Sequence, residues 1–392
     1  MGIERVVVVG GGLAGLRIVE GLRSRRYAGA VTLVGAEAHP PYDRPPLSKQ
    51  LLAGGIDDTR LDADFATLGV GLRLGERAVR LTDGVLLTDR GEHKFDRLVV
   101  ATGAVPVGLP GDGPQRFLRT IDDARALRDL LRPGLRLAVV GAGWIGAELA
   151  TAAVARGCKV TVVEAARAPL AAAIGAEAGD QTSGWYAEAG IDLRLGAAVE
   201  EVTGGGLILA GGGRVEADEV VTAVGVRPAV AWLEGSGLKL DNGVAVDDGL
   251  RSSLPGVLAV GDCAAFWSRR YRRRLRVEHW DNALHAPDVA AANLLGGEAV
   301  YDPVPYFWSE QFGRMLQYIG HHGAADRLIW RGDPAQRSWS ACWLLDGRLT
   351  ALLAVDRPRD LSQGRRVASS GARVDPARLA DPEVPLRAAM AT

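Results

Sequence analysis

Three observations on this 392-residue sequence predict an α/β fold with two related domains and a smaller α+β domain at the C-terminal end. An apolar strand at 6–9 runs into Gly10, Gly12 and Gly15, then a helix to about residue 25 and a second strand at 31–34. The same order recurs at 137–164, LAVVGAGWIGAELATAAVARGCKVTVVE, with its turn at Gly141, Gly143 and Gly146 and an acid, Glu164, closing the second strand. Later in each copy stands a matching strand end, VVATG at 99–103 and VTAVG at 221–225, so the chain carries an internal repeat.

A dinucleotide requires this order. The tight turn brings backbone N–H groups to a pyrophosphate, the helix N-terminus adds positive potential, and an acid after the second strand holds a ribose. Glycine is abundant, with 51 residues, so a bare GxGxxG would be weak. Set between two apolar strands, each copy reads as a Rossmann-like nucleotide-binding domain. In the first copy the acid is displaced: Gly35 ends the strand and Glu37 stands two residues later.

Each remaining segment carries a local signal. Residues 41–49, PYDRPPLSK, hold three prolines and read as a stiff loop entering a short helix. Short strands with turn signals at 57–90 suggest a small β-meander, and the Pro- and Gly-rich run 105–114 a domain crossing. Residues 118–131 are helical by period. After Glu164 a helix is expected around 174–189, then strands near Asp192, Leu207 and Val215. Residues 258–264, LAVGDCA, form one more strand ending on Gly261 and Asp262. If it returns to the first sheet, Asp262 faces the first nucleotide crevice and the second domain is an insertion. A helix at 282–295 comes next, and five short apolar runs between 307 and 355 read as strands of a separate domain. The last 35 residues carry little pattern. The expected division is 1–113 with 245–304, then 114–244, then 305–392.

Composition narrows the partners. A formal net charge of -1 argues against general nucleic-acid or acidic-membrane binding, although a local basic patch remains open. No apolar run approaches the roughly 18 residues of a membrane span. Three widely spaced cysteines point to a reduced, cytoplasmic setting. Only four of the 46 basic residues are lysine, which makes Lys49 in the proline-rich loop conspicuous.

With these motifs in place, the chain resembles the flavoprotein ferredoxin reductases of oxygenase systems, on GGGLAG, PYDRPPLSK, ATGA, GAGWIGAELA, AVGVRP, GDCA, EHWDN at 278–282 and FWSEQ at 307–311. The resemblance implies a three-layer ββα, glutathione-reductase-like architecture with FAD in the first domain and NADH, favoured over NADPH, in the second. For FAD it implies Gly10, Gly12, Leu13, Ala14, Gly15, Glu37, Arg44, Lys49, Val79, Ala101, Thr102, Gly103, Arg119, Gly261, Asp262 and Trp280. For NADH it implies Gly141, Gly143, Trp144, Ile145, Gly146, Glu164, Val224 and Gly225. Lys49 is implied to pair with Glu148 near flavin N5 across the domain boundary. The alternative for Glu148 is a simple first-turn helix acid. Glu164 would accept from an adenosine 2′-hydroxyl and repel a 2′-phosphate. The implied reaction is hydride transfer from NADH to flavin, then two single-electron transfers to a small acidic iron–sulfur ferredoxin serving an oxygenase.

Other chemistries turn on particular residues. Thiol chemistry needs a cysteine facing the flavin, and the loop 40–48 has none, leaving Cys158, Cys263 and Cys342 as small buried residues. A redox-dependent binding protein of the apoptosis-inducing-factor type is the second hypothesis. The run RRYRRRLR at 269–276 could then serve nucleic acid, could equally steer an acidic ferredoxin, or could be a solvated hairpin face. His279, His285, His321 and His322 show no metal spacing, and no metal is expected. His285-Ala-Pro departs from the family's pattern at this helix. Monomer and dimer both remain open.

Overall fold

In the computed structural model, which describes residues 2–391, the chain divides into two compact units. One comprises residues up to Asp43, Thr59–Val105 and Arg227–Pro305. The other comprises Arg44–Asp58, Pro106–Val226 and everything from Tyr306 onward.

The first unit is built on a five-stranded sheet in the order Val257–Ala259, Arg97–Val100, Arg5–Val9, Ala30–Gly35, Val70–Leu74, with every neighbour parallel. Val6 to Val9 are all buried, as strands covered on both faces require. The strand before Gly261 thus returns to the first sheet, pairing Ala259 with Val100. Helix Leu13–Ser24 packs against helix Trp280–Leu294, and Gly21 permits the approach: a Cβ there would stand 3.0 Å from that of Ala291. The second of these helices starts at Trp280, two residues before the expected start, and continues through Pro287. Two three-stranded sheets complete the unit. The meander spans Ala78–Thr82, Val85–Thr88 and Gly91–Lys94, while Val70–Leu74 joins the main sheet instead.

The second unit repeats the plan with a parallel sheet ordered Asp192–Leu195, Lys159–Glu164, Arg136–Val140, Glu219–Thr222. Its helix Trp144–Ala155 has 12 residues, as does Leu13–Ser24. The single helix expected around 174–189 is instead three short ones, Ala171–Ile174, Ala176–Asp180 and Ser183–Glu188. Gly175 breaks the run at φ +80°, and the chain folds back so closely at Gly179 that a Cβ would lie 2.0 Å from the Pro169 carbonyl oxygen.

The C-terminal sheet is antiparallel, in the order Tyr306–Gln311, Arg314–Gly320, Arg348–Val355, Trp339–Leu345, Arg327–Arg331. Leu316, Tyr318, Trp339, Trp343 and Leu353 share a core with Leu170, Ile174, Ala178 and Trp185 of the short helices, so two apolar faces cover each other. The final residues, read as patternless, form helix Pro358–Ser370, started by Pro358 and ended by Gly371 at φ +65°. Gly364 lets that helix lie on Leu352 and Ile319. Among the described residues no helix is long and apolar enough to cross a membrane.

A buried arginine fastens the last segment. Arg331, 2% exposed, donates to Asp360 Oδ2 at 3.0 Å and to the carbonyl oxygens of Leu379, Asp381, Pro382 and Val384. Arg357 and Ser340 also donate to Asp360. Methionine at 331 leaves four carbonyls and part of a carboxylate without donors. Arg331→Met is expected to lower unfolding free energy by about 3 kcal/mol in denaturant titrations, the scale for breaking a buried ion pair; a loss under about 1 kcal/mol would show the segment is held by packing alone.

Candidate functional site

Each unit carries a glycine turn at the carboxyl ends of its parallel strands, and the two are built by the same steric rule. In the first, a Cβ on Gly10 (φ +125°) would lie 2.1 Å from the Ala101 oxygen, and one on Gly15 would lie 2.0 Å from the Gly10 oxygen. In the second, a Cβ on Gly141 (φ +102°) would lie 2.4 Å from the Ala223 oxygen, and one on Gly146 would lie 1.9 Å from the Gly141 oxygen. Only glycine fits such contacts. The middle glycines differ. At Gly12 and Gly143 an added Cβ would meet no protein atom within 4 Å, so the space they leave is open.

Those middle glycines are the N-caps of Leu13–Ser24 and Trp144–Ala155, and neither helix has a side-chain cap or an acid in its first turn. The contrast with Ile121–Leu130 is direct. There Thr120 and Asp123 form a capping box, and Asp123 also accepts from the Arg119 amide at 3.1 Å. Two helices that end in open space with their first N–H groups unclaimed by caps suit an anionic ligand, and a pyrophosphate fits both.

Of the other residues expected at the first site, Ala101 to Gly103 and Gly261 with Asp262 follow neighbouring strands of the same sheet. Ala101, Thr102 and Gly103 follow Arg97–Val100, and Thr102 Oγ1 donates to the Ala229 oxygen at 2.8 Å. Gly261, at φ +71°, brings the turn that carries Asp262 against the first helix: its Cβ would lie 3.3 Å from that of Ala14. Glu37 accepts from Tyr42 Oη at 2.5 Å, a contact that ties it to the start of the proline-rich loop. Trp280 donates through Nε1 to Asp43 at 2.7 Å. Val79 stands on Ala78–Thr82 with 53% of its surface exposed, and that strand packs on the turn Ala231–Leu233.

In the second unit Glu164 accepts from the Ala142 amide at 2.7 Å and the Ala166 amide at 2.8 Å, so the acid also braces the glycine turn. Ile145 and Val224 are exposed, and Trp144 packs its ring on Phe307 with centroids 4.9 Å apart. Gly225 has φ +112°. Arg44 donates to the Arg119 carbonyl oxygen at 2.6 Å.

Lys49 Nζ lies 2.8 Å from Glu148 Oε2, and both groups are largely buried. Two details of the expectation change. Glu148 is the fifth residue of its helix, past the first turn, so a simple dipole-facing acid is ruled out. Lys49 also belongs to the same compact unit as Glu148, so the pair is internal to that unit rather than a bridge between two. Sequence reasoning missed the rest of the cluster. Ser48 Oγ donates to Glu148 Oε2, Ser309 Oγ donates to Oε1 at 2.6 Å, and Gln311 Nε2 donates to Ser309 Oγ at 2.9 Å. The signal was present in FWSEQ, because period-two alternation puts Phe307, Ser309 and Gln311 on one face.

The arginine run 269–276 forms part of a hairpin with strands Ala264–Ser268 and Arg273–Arg276. Arg269 pairs with Asp248, Arg276 pairs with Glu278, and Arg274 donates to the Val246 and Ala265 carbonyl oxygens. Much of this run is therefore structural. His322 accepts from or donates to Tyr318 Oη at 2.8 Å, and burial pushes its pKa down. His285 Nδ1 lies 2.9 Å from the Asp281 carbonyl oxygen.

The three cysteines are free and buried. Burial pushes all three thiols up, that of Cys342 to about 12. Raised thiols do not form thiolates near neutrality. The folded protein is expected to show no fast reaction with an aromatic disulfide reagent at pH 7 and to expose three thiols on unfolding; one rapid equivalent in the native state would reopen thiol chemistry.

Comparison with known proteins agrees with this geometry. Residues 4–286 match the family model described as pyridine nucleotide-disulphide oxidoreductase, and residues 306–390 match that described as reductase C-terminal. The ferredoxin–NAD(+) reductase component of the anthranilate 1,2-dioxygenase system of Burkholderia cepacia is 37% identical over 99% of both chains. Among solved structures, the crystal structure of Fdr9 is 51% identical with a TM-score of 0.94, covering 98% of this chain and 99% of that one. The reductase in the covalent putidaredoxin reductase–putidaredoxin complex is 32% identical with a TM-score of 0.94, covering 99% and 98%.

Proposed function

Given that the chain belongs to the pyridine nucleotide-disulphide oxidoreductase family and closes with a reductase C-terminal domain, we propose that it is an FAD-dependent NADH:ferredoxin reductase. One NADH and two oxidised ferredoxins give NAD+, a proton and two reduced ferredoxins. Its relatives are reductase components of oxygenase systems, and this chain takes the same place, supplying a small acidic iron–sulfur carrier in the cytoplasm. The observation that carries the reading is the pair of glycine turns, each opening an uncapped helix onto free space.

Bound FAD would supply the conversion from a two-electron donor to a one-electron acceptor, and the protein's part is to bind, orient and tune. The amides beside Gly12, Leu13 and Ala14 would hold the FAD pyrophosphate, with Glu37 for the ribose and Asp262 for the ribitol chain. Trp280, held through its indole N–H by Asp43, would be placed with the isoalloxazine. Arg44, Lys49 and Arg119 are also assigned to the flavin. In the second unit the amides beside Gly143, Trp144 and Ile145 receive the NADH pyrophosphate. Glu164 serves two partners: its charge repels a 2′-phosphate while its oxygens hold the turn's Ala142 amide. Dithiol exchange is not part of the mechanism, because Pro40 to Ser48 contains no cysteine and the three thiols are buried.

Purified holoprotein is expected to drive NADH-dependent cytochrome c reduction only when an iron–sulfur ferredoxin is added. Tight, salt-sensitive DNA binding without such turnover would instead favour the signalling flavoprotein. Glu164→Gln keeps an acceptor for Ala142 but removes the repelling charge. Its preference for NADH over NADPH, read as the ratio of kcat/KM values, should fall about tenfold; an unchanged ratio would transfer donor choice to other residues.

A further inference from the structure

Strand Tyr306–Gln311 lies against helix Trp144–Ala155 in a matched register. Phe307 meets Trp144, Ser309 meets Glu148, and the Phe312 amide donates to Thr151 Oγ1 at 3.2 Å. Residues 144, 148 and 151 share one helix face, and 307, 309 and 311 share one strand face. The C-terminal sheet thus delivers a hydroxyl to a particular carboxylate oxygen. Both Ser309 and Gln311 are almost wholly buried.

The direction of this chain of hydrogen bonds is set by proton count. Ser309 has one hydroxyl proton and donates it to Glu148 Oε1. Its oxygen can then only accept, and Gln311 Nε2 supplies the donor at 2.9 Å. The opposite carboxylate oxygen takes Ser48 and Lys49. One carboxylate therefore collects donors from two distant chain segments, and it holds the Lys49 ammonium together with the Pro45 carbonyl oxygen, 3.3 Å away. A buried carboxylate that loses a donor must turn or take another, because an unpaired buried oxygen is costly.

We propose that Ser309, oriented by Gln311, is a positioning residue for Lys49, so that the C-terminal sheet sets the electrostatics felt by the flavin. The proposal rests on the reading that Lys49 lies near the flavin. Its scope is wider than the pair itself: a domain that contributes no glycine turn reaches the redox centre through a serine hydroxyl and a carboxylate. Any displacement of Tyr306–Gln311 along its helix would be transmitted to Lys49, because the register is held at three points.

The test uses holoenzyme variants, with anaerobic flavin reduction by NADH and the flavin midpoint potential as readouts and thermal unfolding as control. Ser309→Ala is expected to slow flavin reduction about tenfold and to move the potential, the scale for a lost charge-assisted hydrogen bond. Ser309→Thr, which keeps the hydroxyl, should restore both. Gln311→Glu replaces the donor by an acceptor beside Ser309 and should act in the same direction as Ser309→Ala, giving a second variant of unchanged bulk. In a Lys49→Met background Ser309→Ala should have no further effect. If Lys49→Met alters rate and potential while Ser309→Ala changes only thermal stability, the proposal is overturned and the reading of Lys49 stands. If Lys49→Met alters neither, the placement of Lys49 by the flavin fails and the proposal falls with it.

Discussion

At Gly15 and Gly146 a methyl group would sit about 2 Å from the carbonyl oxygen that opened the turn. That contact forces strand, turn and helix into one compact unit, and both nucleotide sites depend on it. It brings the helix start close to the strand end and leaves the first amides facing the space beside Gly12 or Gly143. It also makes the carboxyl edge of each parallel sheet the place where neighbouring strand ends gather. Ala101 and Gly261 join the first turn there, and Ala223 joins the second.

The two copies of this turn are then specialised by what surrounds them. In the second, Glu164 bonds to the Ala142 amide within the turn, so the residue proposed to select the donor is also part of the cradle. In the first, Glu37 has overrun its strand and is restrained by Tyr42, which comes from the start of the proline-rich loop. That loop does double service. Its early residues Tyr42 and Asp43 belong with the first unit, where Asp43 takes the Trp280 indole, while Ser48 and Lys49 belong with the second and meet Glu148. Proline at 45 and 46 stiffens the stretch of loop between these residues.

Much of the fold was legible because it is written in local patterns. Both nucleotide units, the return of the strand before Asp262 and the five C-terminal strands derive from apolar runs, glycine spacing and turn residues. The helix Pro358–Ser370 was not legible, because its buried face rests on Asp360, Gly364, Val367 and Ala368, too sparse for an apolar period. The broken helix at 171–188 was misread because Gly175 and Gly179 act through backbone conformation and a close approach to Pro169 that no spacing announces. The basic run at 269–276 looked like a binding face, yet Asp248 and Glu278, distant or adjacent in sequence, take up charges at its two ends.

The sequence by itself determined that there are two glycine turns, which acid stands at or just beyond the end of each second strand, and that no cysteine stands where a flavin-facing thiol would be needed. These are matters of residue type and short spacing, and they survive any packing. Only the tertiary structure decided what Glu148 is for. Its partners lie 99 to 161 positions away in the chain, and a carboxylate's role inside a protein is set by which donors reach it. The sequence named Lys49 through resemblance. The fold added Ser48, Ser309 and Gln311, because only packing both the proline-rich loop and the C-terminal sheet on the second nucleotide helix brings their donors into one buried cluster.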